Sequence, residues 1–152
     1  MKGWLLDTNV IAALIAPNGA PSVKQWTVDQ SEDQFYLSIL TLGEYDKGIA
    51  NLAEDHPERS RFIGARDALE ARFAPRVLPL SNAVVRRWGA ISGRVRRDTG
   101  HPPPVIDTLL AATAIEHDLY LATRNVSDAS RSGAAIFNPW SDNPPDFPLV
   151  DG

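Results

Sequence analysis

The sequence predicts an α/β protein in a single domain, with a mostly parallel central sheet flanked by helices on both faces. Three observations carry this. Short runs of strand formers alternate with longer stretches whose apolar residues recur at helical spacing, as a parallel sheet with crossover helices requires. The first apolar strand closes on an acid that leads straight into a helix. A chain of 152 residues with 43% hydrophobic and 22% charged side chains matches one compact domain, and no internal repeat or linker divides it.

The elements follow in order. Trp4-Leu5-Leu6 is a short apolar strand, and Asp7-Thr8-Asn9 supplies N-cap residue types before the apolar run Val10 to Leu14. Pro17-Asn18-Gly19 makes a turn, and Pro21 suits the first turn of a helix to about Gln30. Phe35 to Ile39 is rich in strand formers. Thr41 and Glu44 have the spacing of a capping box and open a helix to about Asn51. Pro57-Glu58 starts another, with Phe62, Ala65, Leu69 and Phe73 on one face, so that the two form a helical hairpin. Val77-Leu78 is a minimal strand. Ser81 caps a helix from Asn82 to about Arg97, whose stripe is Val84, Val85, Trp88, Ile91 and Val95. Gly100 to Pro104 is a stiff loop. A strongly apolar helix runs from Val105 to about His117, with Asp107 in its first turn, and Leu119 to Thr123 is a strand. A polar segment from Arg124 to Gly133 precedes a last strand, Ala135-Ile136-Phe137. Prolines and acids mark residues 141–152 as a loose, proline-rich C-terminal tail beyond a domain of residues 1–140.

Composition removes several chemistries. There is no cysteine, so disulfides, thiol nucleophiles and thiolate metal sites are excluded, and three scattered histidines have no zinc-like spacing. Any metal must be held by oxygen. No apolar run is long enough for a membrane span and no signal peptide is recognisable, which reads as a cytoplasmic protein. The net charge of −4 hides an asymmetry: residues 59–98 hold ten arginines and three acids, a net of +7, and the remainder carries −11. Arg86, Arg87, Arg94, Arg96 and Arg97 offer a basic face for RNA phosphates, or equally a solvated helix face.

Four segments bring acids or amides to one sheet edge, beyond the carboxyl ends of the strands where such folds bind ligands. Asp7 ends the first strand, Glu44 lies one turn past the second, Asp107 opens a helix, and Asn125 and Asp128 follow the fourth strand. Hard cations such as Mg²⁺ or Mn²⁺ take this kind of oxygen donor set. Each residue also has a structural alternative. Glu44 can complete the capping box, Asp107 can complement a helix dipole, and Asp128 can end a turn begun at Asn125. Asp7 is hardest to explain structurally, because an acid closing a buried strand has no evident partner. Asp46, two residues from Glu44, points elsewhere on the helix and is left out of the site. Ser38, Thr41 and Thr123 read first as strand-end or cap residues, and second as hydrogen-bond partners of the carboxylates.

The segments Leu5-Leu6-Asp7-Thr8-Asn9-Val10-Ile11, Leu37 to Glu44 with Gly48, Asp107 to Ala114, and Leu121-Ala122-Thr123-Arg124-Asn125 together resemble PIN domains of the VapC toxin family, in the family's order. Ile136 to Trp140 is similar to a subset of these toxins. The resemblance spans Leu5 to Trp140. It implies a PIN-like fold and a Mg²⁺-dependent endoribonuclease, with Mn²⁺ as a substitute. It also implies the toxin of a type II toxin-antitoxin pair, homodimeric and restrained by a VapB-type antitoxin lying along the hairpin at about 42–74. Carried over by motif, Asp7, Glu44 and Asp107 are the first three acids. Asn125 stands where the fourth often is, and Asp128 can supply its charge. The implied catalytic set is Asp7, Glu44, Asp107, Asn125 and Asp128, and the implied metal ligands are Asp7, Glu44, Asp107 and Asp128, serving hydrolysis by an activated water.

Two other readings compete. Haloacid-dehalogenase-like phosphatases also place an acid after their first strand, but need a second two residues on, where this chain has Asn9. A catalytically silent PIN-like scaffold binding RNA or protein is favoured only by Asn125.

Overall fold

The computed structural model describes residues 1–150. Five parallel strands form one sheet: β1 (Gly3–Leu6), β2 (Phe35–Ser38), β3 (Val77–Leu78), β4 (Leu119–Ala122) and β5 (Ile136–Phe137), in the order β3-β2-β1-β4-β5. The earliest strand is therefore central, with Gly3–Leu6 in register with Leu119–Ala122 on one side and Trp4–Leu5 with Phe35–Tyr36 on the other. Gly3 is required by packing, since a β-carbon there would lie 2.2 Å from the Gln34 carbonyl oxygen.

Alternation along the strands divides the core between two faces. Trp4, Leu6, Phe35, Leu37, Tyr120, Ala122 and Phe137 point to one face. There they meet α1 (Thr8–Ile15), α2 (Pro21–Asp29), α3 (Ile39–Asn51) and α4 (Arg59–Phe73). Leu5, Leu119 and Leu121 point to the other, against α6 (Val105–Glu116) and the short α7 (Val126–Ala129). α5 (Asn82–Thr99) packs outside α6 through Val84, Ile91 and Val95. Trp4 and Trp26 meet edge to face at 5.1 Å in the first core, so Trp26 as well as Trp4 belongs to the interior.

Three local expectations are corrected. The cap of α3 is Ser38, whose Oγ accepts from the Leu40 amide at 3.1 Å, so Ile39 is helical and Thr41 lies buried inside the helix. The capping-box account of Glu44 is thereby removed. Ser81 does cap α5, accepting from Val84 N at 3.2 Å, but the helix runs on to Thr99 and ends at Gly100, where a φ of 81° suits glycine. Residues 141–150 are not loose. Phe147 and Leu149 pack on the first core, the Phe147 ring lies 4.9 Å from that of Phe137, and Tyr120 donates its hydroxyl to the Pro148 carbonyl at 2.9 Å. Prolines there set the path of a chain that aromatic burial holds down.

Candidate metal centre

β1 and β4 run side by side, so the residues after them emerge together. The Asp7 amide continues the ladder by donating to Ala122 O at 3.0 Å, and the Thr123 amide donates to Phe137 O at 3.0 Å. Asp7 is buried, and its carboxylate is held from two sides. Oδ1 accepts from the Thr8 amide at 2.7 Å, making Asp7 the N-cap of α1. Oδ2 accepts from the Thr123 hydroxyl at 2.7 Å and from Asn9 Nδ2 at 3.3 Å. Asn9 Oδ1 in turn accepts from the Arg124 amide at 3.3 Å, and Thr123 Oγ1 accepts from the Asn125 amide at 3.0 Å. The segment after β4 is thus tied to the start of α1 through Asp7. This answers the question of what satisfies an acid at the end of a buried strand.

Glu44 sits on the exposed side of α3, and its Oε1 accepts from the Thr8 hydroxyl at 2.7 Å. Thr8 therefore touches two of the four acids, one through its amide and one through its hydroxyl. Asp107 is half-buried in the first turn of α6. Burial raises its pKa above the ordinary aspartate value, and the negative charges of Asp7, Asp128 and Glu44 raise it further. Four segments distant in sequence accordingly share one electrostatic field. Asp128 is exposed on α7, and Asn125 immediately precedes that helix with its side chain in solvent.

Among the described residues none of these four acids is ion-paired with a basic side chain, and no three carboxylates or imidazoles stand at metal-ligating spacing. The arrangement is one rim of mutually repelling oxygen donors anchored at Asp7 rather than a closed cage. Its chemistry fits a hard divalent cation, which takes carboxylate oxygens and neutralises the repulsion that Asp107 registers. Asp46 lies outside the rim, bonded to Arg66 Nε at 2.9 Å.

The five arginines of α5 separate into groups. Arg87 pairs with Glu116 at 2.9 Å, and Arg94 Nη2 donates to the carbonyls of Arg131 and Ser132 at 2.8 and 3.1 Å. Arg86, Arg96 and Arg97 are exposed. Thr8 and Asn9, which read in the sequence as N-cap residue types, are in addition hydrogen-bond partners of Asp7 and Glu44. The signal for that added role was position alone, directly after the strand-ending acid.

A parallel sheet with its acids gathered beyond β1, β2 and β4 is the architecture of a PIN domain. The PIN domain family profile matches residues 4–127, and the chain belongs to this family. It is similar to Toxin FitB of Neisseria gonorrhoeae, with 30% identity over 91% of this chain and 99% of that protein. It is also similar to VapC ribonuclease Y4jK of Sinorhizobium fredii, with 31% identity over 90% of this chain and 96% of that protein. Among solved structures, FitAB bound to a DNA fragment matches with a TM-score of 0.81 at 28% identity, over 92% of this chain and 97% of that one.

Proposed function

We propose that this protein is a divalent-metal-dependent endoribonuclease and the toxin of a toxin-antitoxin pair, acting in the cytoplasm. The observation that carries the reading is the convergence of Asp7, Glu44, Asp107 and Asp128 on one rim, with Asp7 buried and fixed by two separate segments. The relatives named FitB and VapC ribonuclease supply the biological setting. Among the described residues no helix is long and apolar enough to cross a membrane.

Asp7, Glu44 and Asp107 are the residues we assign to hold Mg²⁺ or Mn²⁺, with Asn125 or Asp128 completing the set. Such an ion supplies neutralisation of phosphate charge and activation of water. The chain's own contribution is positional. Thr123 and the Thr8 amide fix the Asp7 carboxylate, the Thr8 hydroxyl orients Glu44, and exposed Arg86, Arg96 and Arg97 give RNA phosphates a cationic approach.

We assign the antitoxin to the groove of about 500 Å³ between α1, α2 and α4, whose apolar walls include Leu14, Ile15, Val28 and Leu69. It overlaps the hairpin at 42–74 through α4 alone. A homodimer is part of the same reading.

The deciding experiment is cleavage of total cellular RNA by antitoxin-free protein in Mg²⁺, Mn²⁺ or chelator, with Asp7→Asn as control. Metal-dependent cleavage absent from Asp7→Asn is expected. RNA binding without cleavage in either metal would favour the silent scaffold.

A further inference from the structure

A second cavity adjoins the acidic rim and shares only Asp128 with it. It encloses about 270 Å³ between α5, the loop 101–104, α6 and the segment 127–132. Ile91, Val95 and Pro104 give it apolar walls, while Asp128 and Arg131 place a carboxylate and a guanidinium on its lining. Asp128 belongs to both places, since it lines this cavity and also acts on the charge of Asp107.

The walls are fixed in advance. The Thr99 hydroxyl donates to Val95 O at 2.8 Å and accepts from the His101 amide at 3.3 Å, which pins the start of the loop to the end of α5. The Thr108 hydroxyl donates to Pro104 O at 2.6 Å and pins its end to α6. Three consecutive prolines stiffen what lies between. Arg94 holds the opposite wall through the Arg131 and Ser132 carbonyls. Binding there needs little ordering of the protein, the condition under which a small ligand is held well.

We infer that this cavity is a nucleobase subsite, which holds one base of the RNA strand beside the phosphate at the acidic rim. The inference rests on the ribonuclease reading and adds to it a source of sequence preference. Pockets for drug-sized ligands run to roughly 300–1,000 Å³, so this one suits a single flat ring system between apolar walls. A carboxylate accepts from an exocyclic amine, and a guanidinium donates to a ring nitrogen or carbonyl. Guanine and cytosine carry an amine together with a carbonyl. Uracil carries no amine, and its one donor, the ring N3–H, stands between two carbonyl oxygens that the Asp128 carboxylate repels.

The test needs no metal and no cleavage. The full-length protein in chelating buffer is titrated with GMP, CMP, AMP and UMP, and NMR follows the Ile91 methyls and the His101 imidazole, both on the cavity lining. Signals of His56, distant in sequence on another loop, serve as reference. GMP or CMP should shift Ile91 and His101 and bind about ten-fold more tightly than UMP, the discrimination of one good base contact. Ser127→Trp, at an exposed lining position, should fill the mouth and abolish the shifts with thermal unfolding unchanged, and Arg131→Gln should weaken them. Absence of shifts with all four nucleotides, equal binding of UMP and CMP, or undiminished shifts in Ser127→Trp would each overturn the subsite. If RNA is cleaved but no nucleotide binds here, the subsite alone falls. If nucleotides bind as expected but no RNA is cleaved with metal, the ribonuclease reading falls instead.

Discussion

Thr123 donates its hydroxyl to Asp7 Oδ2 at 2.7 Å, joining residues 116 positions apart at the edge where β1 and β4 end. Both side chains are buried, so the bond is shielded from competing water and fixes the orientation of the carboxylate. The hydroxyl that orients this carboxylate is as much a part of the acidic rim as the carboxylate itself.

Thr123→Val keeps the shape of the side chain and removes the donor. RNA cleavage is expected to fall by about 10–100-fold, the usual cost of losing an outer partner of a ligand, with circular dichroism unchanged. Single-turnover cleavage measures it, and a rate equal to wild type would show that Asp7 is oriented without Thr123.

Thr8 should behave as a positioning residue for Glu44. Thr8→Ser retains the hydroxyl and should retain activity, whereas Thr8→Val should lose roughly ten-fold or more. Equal rates for the two variants would remove Thr8 from the account.

The pH dependence follows from Asp107. Burial first, then Asp7, Asp128 and Glu44, hold its folded pKa above the unfolded value near 3.8. The stabilisation from its protonated form is therefore complete below that value and is lost as pH rises through the raised one. In chelating buffer at pH 7, Asp107→Asn should melt at a higher temperature than wild type, and the difference should shrink on acidification. Mg²⁺ should raise the melting temperature of wild type more than that of the variant. A variant less stable than wild type at pH 7 would contradict this.

Arg94→Ala should destabilise the fold by about 1–2 kcal/mol in urea titration, because two carbonyls lose a charged donor. Arg96→Gln and Arg97→Gln should leave stability within about 0.5 kcal/mol. Each should instead lower the slope of RNA affinity against log salt by about 0.7.

Phe147→Ala should cost about 2–3 kcal/mol, since its ring packs on Phe137 at 4.9 Å and Tyr120 at 5.4 Å. A change under 0.5 kcal/mol would mean that residues 141–150 contribute nothing to the core.

Strand and helix order was legible in the chain because β1, β2 and β4 are dense in strand formers and α5 has a clean apolar stripe capped by Ser81. The acids were legible because Asp7 closes a recognisable strand while Glu44 and Asp107 stand within recognisable helices, Asp107 in the first turn. Other features depend on tertiary partners and leave no local mark. The true cap at Ser38 was masked by strand formers running to Ile39. Thr8 reaches Glu44 only after α1 and α3 have met. Arg94 and Arg96 look alike in sequence, and only the packing of residues 130–132 against α5 makes one of them structural. The tail reads as loose because Phe147, Leu149 and Val150 stand among prolines and acids with no periodicity to mark their burial.

The central place of β1 has a consequence for synthesis. Its neighbour β4 is encoded more than a hundred residues later, and the hydroxyl that orients Asp7 comes from the residue after it. A nascent chain emerging at roughly 5–20 residues per second therefore carries Asp7 and Glu44 long before it carries a centre. Until about residue 128 has left the ribosome, the four acids stand on separate stretches of chain and no assembled rim exists.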